Sequence, residues 1–540
     1  MQTKNGMDAV DAKSRAAGPP VRETRFGDRR VLCFPDRPSD VLVMFAETVR
    51  SLPDHEALVA GEYRISYRDL NRQVEQAAGR LLADGLGVED RVCLLLGNRP
   101  DFLVLLLAIL RIGAIAVPVN PREQRDGLTF ILTDCQAAAL VSEAGLEDRI
   151  PDPAAVPWVR RFYCITDAGG LEPAGATHRA PTARRCGEED TAILLYTSGT
   201  TGRPKGAMLT HLNLVHSVMH YQQVFGLGPH DRSMLVVPAS HVTGLVAILL
   251  AMVRCGGCSV MMRDFEVHGF LARAAGERIT HTVMVPAMYN LCLLRADLGE
   301  HDLSAWRIGA YGGAPMPEAT IAALSRALPG LQLANAYGAT ETTSPATVMP
   351  PGRTRERPDS VGLAVACAEL RIVDETGAEV AAGEAGEVLI KGPMVVPGYW
   401  NRPEETDANF RDGWWCSGDI GALDGDGFLA VFDRRKDMIN RGGYKIYSAE
   451  LENTLAHHTA IGEVAAVARP DPVLGERIHC FVVPADTQPD PEDLRDFCRS
   501  RLADYKVPDS FTFLVEPLPR NANGKVMKLV LKEWLERRQP

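Results

Sequence analysis

Closely spaced cysteines are nearly missing from this sequence. Its 540 residues hold twelve cysteines, scattered along the chain, and only Cys255-Gly256-Gly257-Cys258 has a short spacing. With no second pair and no histidine cluster at ligand spacing, a zinc site is not expected; the pair reads as buried thiols in a reducing, cytoplasmic setting. Surplus positive charge is lacking as well. The formal net charge of −11 argues against nonspecific binding to nucleic acid or to an acidic membrane surface, although a local basic site for a nucleotide remains compatible with it. Residues 1–30 mix both signs of charge and contain no apolar h-region, so no secretory signal or transit peptide is expected. One apolar run, 102–119, is interrupted by Arg111 and Gly113, which makes it a buried helix followed by a buried strand instead of a membrane span. The Walker sequence Gly-x4-Gly-Lys-Ser/Thr is also absent, which disfavours motor-type ATP hydrolysis.

What is present is the composition of an ordinary globular protein, with 46% hydrophobic and 24% charged residues. A chain of this length exceeds one hydrophobic core, so two or more domains are expected. Residues 1–40 show no periodicity and are expected to form a flexible lead-in. Ser66-Tyr67-Arg68-Asp69 has the form of a capping box, with Leu70, Val74, Ala77 and Leu81 recurring behind it at helical spacing. Strands are predicted over 92–96, 114–117 and 138–141, alternating with helices over 100–112 and 123–133, which implies βαβ units and a parallel sheet. After a Gly/Ala/Pro-rich loop at 167–190, a second alternating run places strands at 192–197, 234–237, 259–262, 281–285, 307–311 and 332–337. From 352 to 433 the texture becomes short and β-rich, and beyond a basic boundary a compact α+β unit follows. The expected class is α/β. A large N-terminal domain (41–433) holds two parallel-rich halves and a small β subdomain (352–433), a hinge lies at 434–436, and a small mobile α+β domain spans 437–540.

Five stretches carry chemistry. Tyr196-Thr197-Ser198-Gly199-Thr200-Thr201-Gly202-Arg203-Pro204-Lys205-Gly206 follows the apolar Ala192-Ile193-Leu194-Leu195 and reads as a phosphate-binding loop. Its glycines let the backbone approach a polyanion, its hydroxyls donate, and Lys205 adds a mobile positive charge. A turn joining a strand to a helix would explain three or four such residues, not eleven. Asn335-Ala336-Tyr337-Gly338-Ala339-Thr340-Glu341-Thr342 offers a ring for a purine and a carboxylate for magnesium. Ser417-Gly418-Asp419-Ile420-Gly421 sets a carboxylate between glycines, suited to a ribose diol, and Arg434 suits the same sugar. Gly524-Lys525 lies in a polar loop, where a lysine is usually only a surface charge. In Pro238-Ala239-Ser240-His241-Val242-Thr243-Gly244 one histidine stands in an apolar segment, a place more often filled by a core histidine.

Together, in this order and spacing, these stretches resemble the acyl-adenylate-forming (AMP-forming) superfamily, which includes acyl- and aryl-CoA synthetases, luciferases and the adenylation domains of peptide synthetases. The resemblance covers the chain from about residue 60 to its end. It implies that Thr197, Ser198, Gly199, Thr200, Thr201, Gly202 and Lys205 hold the ATP phosphates. Tyr337 would lie on the adenine, with Gly313, Ala314, Gly338 and Thr340 completing the nucleotide site. Glu341 would ligate Mg2+, and Asp419 and Arg434 would hold the ribose. Lys436 falls at the hinge, Lys525 on the lysine that the mobile domain inserts during adenylation, and Gly442 and Gly443 beside the pantetheine of coenzyme A. The expected catalytic residues are thus Lys525, Glu341, Thr197 and His241.

The resemblance also narrows the substrate. Amino-acid-activating members carry an aspartate near the position of His241, whereas an aromatic or histidine gate is typical of the fatty-acyl, coumarate and malonate ligases. Val242, Leu245, Val285, Ala287, Met288, Ala314 and Met316 make the surroundings apolar, with Gly312 and Gly313 leaving space. The expected substrate is a hydrophobic monocarboxylic acid, fatty or aromatic, transferred to coenzyme A. A carrier protein's phosphopantetheine as acceptor, a homodimer, and an inactive nucleotide-binding sensor of the same fold stay open at this point.

Overall fold

The computed structural model describes residues 18–166, 169, 186–197, 204–520 and 526–537. They form two compact units, Met1–Glu369 with Ile390–Trp415, and Leu370–Leu389 with Cys416–Pro540.

The first unit opens on an antiparallel hairpin, β1 (Val21–Arg25) and β2 (Arg29–Cys33). Over residues 21–33 this replaces the flexible lead-in expected for residues 1–40, of which 1–17 lie outside the described residues. The hairpin is held by ionic contacts to distant parts of the chain, which leave no periodicity in the local sequence. Arg37 bonds Glu23 at 2.8 and 2.9 Å and Glu188 at 2.6 and 2.9 Å. Arg29 donates to the carbonyls of Val396 (2.9 Å) and Pro397 (2.7 Å). The Arg37 hydrogen bonds hold the Glu23 carboxyl down at about 2.

Helix α1 (Val41–Ser51) is capped by Asp40, whose side chain accepts from Val43 N at 2.7 Å. A hairpin of β3 (Glu56–Ala60) and β4 (Tyr63–Ser66) leads into α2 (Tyr67–Ala83). The Ser66 hydroxyl accepts from Asp69 N at 3.1 Å, as the capping pattern predicts. Leu70, Val74 and Leu81 are buried, and Ala78 completes the stripe where the sequence pointed to Ala77.

The first sheet is built from β5 (Arg91–Leu95), β6 (Ile115–Val119), β7 (Ala139–Glu143), β8 (Arg161–Ile165), β9 (Thr191–Thr197) and β10 (Lys205–Thr210), in the spatial order β10-β9-β6-β5-β7-β8. Only β9 and β10 pair antiparallel; the rest are parallel. Helix α3 (Pro100–Arg111) between β5 and β6 is buried from Phe102 through Leu110, and Arg111 ends it in an ion pair to Glu75 at 3.0 Å. Among the described residues no helix is long and apolar enough to cross a membrane.

Helix α4 (Arg125–Asp134) joins β6 to β7, and α5 (His211–Phe225) follows β10. The second sheet adds β11 (Arg232–Leu235), β12 (Cys258–Met261), β13 (His281–Met284), β14 (Ile308–Tyr311), β15 (Gln332–Tyr337), β16 (Thr347–Val348) and β17 (Ser360–Ala364). In this unit its order is β17-β16-β15-β14-β13-β11-β12-β3-β4, with a parallel run from β15 to β3. Phe270, Tyr289 and Trp306 pack together in the core on this sheet, with ring centroids 5.6 and 6.1 Å from Trp306. Cys255 and Cys258 are buried free thiols, and burial pushes both up to about 12.

The second unit contains the strands Glu369–Val373, Gly386–Lys391, Trp414–Leu423 and Phe428–Arg434. It continues into a long antiparallel pair, Ile461–Asp471 with Gly475–Pro484, which Ser510–Phe513 joins in parallel. Leu451, Cys480, Val482 and Leu494 form one core, and Phe481 and Leu531 another. The expected α/β class stands, with two parallel-rich sheets and a smaller α+β C-terminal part.

Candidate active site

The expected phosphate loop is flanked by the antiparallel pair β9 and β10. In the β9–β10 register Thr197 lies opposite Lys205 and Tyr196 opposite Gly206. Ser198, Gly199, Thr200, Thr201 and Gly202 lie outside the described residues. The sequence showed no strand at 205–210; β10 forms because it pairs on both edges. On its second edge Trp400 N donates to Gly206 O at 2.8 Å, Met208 N donates to Gly398 O at 3.1 Å, and Ala207 bridges Tyr399. A Cβ at Gly206 would lie 3.1 Å from the Tyr196 ring, so the glycine permits that packing. The Tyr196 hydroxyl in turn donates to Asp134 at 2.7 Å, and Arg402 pairs with the same carboxylate.

These pairings bring Lys205 to Glu341 through a residue that sequence patterns did not flag. Lys205 is only 8% exposed, and its ammonium sits over the Tyr399 ring, 5.2 Å from the centroid. The Tyr399 hydroxyl donates to Glu341 Oε1 at 2.9 Å, and Val396 N donates to the Glu341 carbonyl at 2.9 Å. Burial, with the Glu341 charge behind it, pushes the Tyr399 phenol above its ordinary value, so it keeps its proton and donates. Its only local signal was an aromatic pair after a glycine, Gly398-Tyr399-Trp400.

Glu341 itself sits in a short turn, Thr340–Thr342, just past β15. A Cβ at Gly338 would meet Thr342 Oγ1 at 2.9 Å and Ala346 N at 3.1 Å, so the turn between Tyr337 and Glu341 requires glycine. Register pairs Tyr311 of β14 with Asn335 of β15. The exposed Gly313 (φ 78°) and Ala314 therefore leave the sheet beside the half-buried Tyr337. Thr197, Lys205, Glu341, Tyr337, Gly338, Thr340, Gly313 and Ala314 thus all belong to strand ends or turns of the first unit.

His241 is half-buried, and its Nδ1 lies 3.2 Å from Thr243 Oγ1. It stands at the entry to a π-helix, Thr243–Leu250, a rare form that often marks functional sites. The loop before it is pinned by Asn98, a second residue that sequence reasoning missed. The Asn98 amide donates to Val237 O (3.1 Å) and Met262 O (3.0 Å) and accepts from Ala239 N (2.8 Å), joining the ends of β5, β11 and β12. Of the expected apolar residues, Val242, Leu245 and Met316 are buried, Met288 is half-buried, and Val285, Ala287 and Ala314 are exposed. Leaving buried partners of Asn98 unbonded costs about 1–3 kcal/mol each. Asn98→Ala is therefore expected to raise KM for the acid about tenfold and to leave KM for ATP within about twofold, as steady-state kinetics will show.

In the second unit Asp419 and Arg434 face each other across paired strands, with Arg434 Nε 3.3 Å from Asp419 Oδ1. Asp419 is buried while Arg434 is exposed. The Lys436 carbonyl accepts from Lys532 Nζ at 3.2 Å. Gly442 (φ 61°) and Gly443 (φ 90°) form the exposed tip of the hairpin Ile439–Arg441 with Tyr444–Ile446. Lys525 lies outside the described residues.

Residues 45–400 match the family of AMP-binding enzymes, and residues 450–525 match the C-terminal domain of AMP-binding enzymes. This chain is an AMP-binding enzyme. It is 36% identical to a feruloyl-CoA synthase of an Amycolatopsis species over 481 residues, covering 89% of this chain and 96% of that protein. It is 32% identical to the long-chain-fatty-acid–CoA ligase FadD13 of Mycobacterium tuberculosis, covering 87% and 93%. Among solved structures, ATP-bound MatB from Rhodopseudomonas palustris superposes with a TM-score of 0.85 at 29% identity, covering 92% and 99%. The o-succinylbenzoate coenzyme A synthetase MenE of Bacillus subtilis, with ATP and magnesium, gives 0.82 at 28% identity, covering 91% and 99%. Within the family the chain falls in the AMP-forming acid–CoA ligase branch, which works with ATP, Mg2+ and coenzyme A to form an acyl-AMP and then an acyl-CoA.

The donor set of this AMP-binding enzyme suits that magnesium. Among the described residues no group of three or more His, Cys, Asp and Glu could hold a metal. A magnesium at Glu341 would thus take its other ligands from nucleotide oxygens and water, as magnesium commonly does. The Tyr399 bond occupies one Glu341 oxygen and leaves the other for such a role.

Proposed function

We propose that this AMP-binding enzyme activates a hydrophobic monocarboxylic acid, fatty or aromatic, as an acyl-AMP and passes the acyl group to coenzyme A. The observation that carries this reading is the setting of His241. It opens the π-helix Thr243–Leu250, whose side chains are apolar after Thr243, and that helix packs against β11 and β13. Val285 and Ala287, just beyond β13, add exposed apolar surface. The feruloyl and long-chain-fatty-acid ligases named above bracket the same class of acid.

In the first half-reaction a carboxylate oxygen attacks the α-phosphorus and pyrophosphate leaves. Two anions must approach, so their repulsion has to be offset before the bond forms. In this reading Thr197, the loop residues 198–202 and Lys205 hold the β- and γ-phosphates, Tyr337 carries the adenine between Gly338, Thr340, Gly313 and Ala314, and Asp419 with Arg434 takes the ribose. Glu341 would hold magnesium, which when bound neutralises phosphate charge. Lys525 adds positive charge at the reacting phosphate. In the second half-reaction the thiol attacks the acyl carbonyl and AMP leaves, with Gly442 and Gly443 giving the pantetheine close approach. Movement at 434–436 withdraws Lys525 between the steps, and His241 gates the acid. A cytoplasmic setting fits this use of ATP and coenzyme A.

The test is a panel of fatty, aryl and dicarboxylic acids assayed for AMP release with and without coenzyme A. Turnover is expected with apolar monocarboxylates when coenzyme A is present. A dicarboxylate as the best substrate would overturn the assignment of acid class, and equal turnover without coenzyme A would overturn the acceptor.

A further inference from the structure

Lys205 and Glu341 carry opposite charges, and both touch one tyrosine. The ammonium of Lys205 lies on the Tyr399 ring face, and the Tyr399 hydroxyl donates to Glu341 Oε1. Among the described residues neither side chain makes an ion pair, although Lys205 is buried and Glu341 half-buried. In such a setting a cation and a carboxylate normally pair, because burying charges apart is costly. Direct pairing here would cancel the positive charge offered to phosphate and occupy the carboxylate meant for a metal.

We infer that Tyr399 is a positioning residue that keeps the phosphate-binding lysine and the metal-binding carboxylate apart. Its ring supplies Lys205 with a partner that carries no net charge, through cation–π attraction. Its hydroxyl satisfies one Glu341 oxygen and leaves the second for magnesium. The ring is itself well fixed. Tyr399 N donates to Thr406 Oγ1 at 3.0 Å, Ala207 bridges its backbone, and Phe410 meets its ring edge-on at 5.6 Å. Gly398 permits this placement, since a Cβ there would lie 2.4 Å from Thr406 Cγ2. Two carbonyls just upstream, Val396 O and Pro397 O, are held by Arg29 of the N-terminal hairpin.

The inference rests on the reading of Glu341 as the magnesium carboxylate, and the experiment separates the two. Calorimetric affinities for ATP are measured with magnesium and with chelator, together with thermal midpoints, for wild type, Tyr399→Phe, Tyr399→Leu and Glu341→Gln. Tyr399→Phe keeps the ring and loses the hydroxyl, so magnesium-ATP should bind about tenfold more weakly while metal-free ATP stays within about twofold, the scale of one lost bond to a charged group. Tyr399→Leu removes the ring as well, lets Lys205 turn to Glu341, and should weaken metal-free ATP too. Wild-type affinity for magnesium-ATP in Tyr399→Phe, with Glu341→Gln impaired, overturns the role of Tyr399 alone. Unchanged magnesium-ATP binding in Glu341→Gln overturns the magnesium reading and this inference with it. Unchanged metal-free ATP binding in a folded Tyr399→Leu overturns the separation of the charges.

Discussion

Lys525→Ala is expected to lower carboxylate-dependent pyrophosphate exchange by about 10²–10³-fold, the loss typical when one donor to a charge-gathering transition state is removed. Conversion of supplied acyl-AMP and coenzyme A to acyl-CoA should persist near the wild-type rate. The asymmetry follows from where charge moves. During adenylation negative charge collects around the α-phosphate as pyrophosphate departs, and a fixed cation there lowers the barrier. During thiolysis the developing charge sits on the acyl carbonyl oxygen, and the same lysine has nothing to stabilise. Equal loss in the two half-reactions would mean that Lys525 supports the fold or nucleotide binding instead of the first chemical step.

A second large effect concerns acid. Helix α5 buries His211, His216 and His220, and β13 buries His281. His216 donates from Nδ1 to Leu212 O (2.9 Å) and accepts at Nε2 from Phe34 N (3.2 Å), so the neutral ring uses both nitrogens. Among the described residues His220 has no hydrogen-bond partner at either nitrogen, and it packs against Phe34 and His216 at 5.4 and 6.3 Å. Burial holds His216 down at about 3 and His281 at about 4, and it lowers His211 and His220 as well. Above about pH 6.5 the folded and unfolded chains both carry neutral imidazoles. Below it the unfolded chain takes up protons that the folded chain refuses, so stability falls as pH drops. For His281 the loss continues to about pH 4 and for His216 to about pH 3. Across that window each such histidine costs about 1.4 kcal/mol per pH unit. Denaturant midpoints should therefore fall steeply between pH 6.5 and 5, above the window from about 4.5 down to about 2 in which the contribution of Glu23 is lost. His220→Phe should flatten that slope by about one proton, because it removes a buried ring whose nitrogens have no hydrogen bond among the described residues. A flat midpoint over this range would show that protons reach these rings in the folded state.

The parts of the site that were legible in the sequence are those made by consecutive residues. The expected phosphate loop, the Tyr-Gly turn ending in a carboxylate, and the aspartate between glycines stand out as candidates because the chemistry expected of them depends on local backbone freedom. The buried parallel strands were equally plain, since a strand covered on both faces is simply an apolar run: 92–96 was expected and Arg91–Leu95 formed, and 332–337 was expected and Gln332–Tyr337 formed.

What escaped was made by bonds between distant residues. Strand β10 exists because residues 398–400 cover its outer edge, and nothing in Lys205–Thr210 announces that partner. Asn98 looks like one more polar residue before a helix until its three bonds to Val237, Ala239 and Met262, just past β11 and β12, are seen. Tyr399 acquires meaning only from Lys205 on one side and Glu341 on the other, 194 and 58 residues away in sequence. Ionic and hydrogen-bonded contacts of this range carry no period, so pattern reading singles out candidate groups within one stretch and misses partners that only the fold brings together.

The hairpin β1–β2 has a consequence for how this protein can be cut and recombined. It lies wholly before residue 45, where the family match begins, yet Arg29 holds the carbonyls of Val396 and Pro397 and Arg37 grips Glu188 on the approach to β9. A fragment trimmed to the matched boundaries would contain every motif of the family and still strand those carbonyls and that carboxylate. Domain swaps with relatives should therefore move the hairpin and the 396–400 segment as one inherited block.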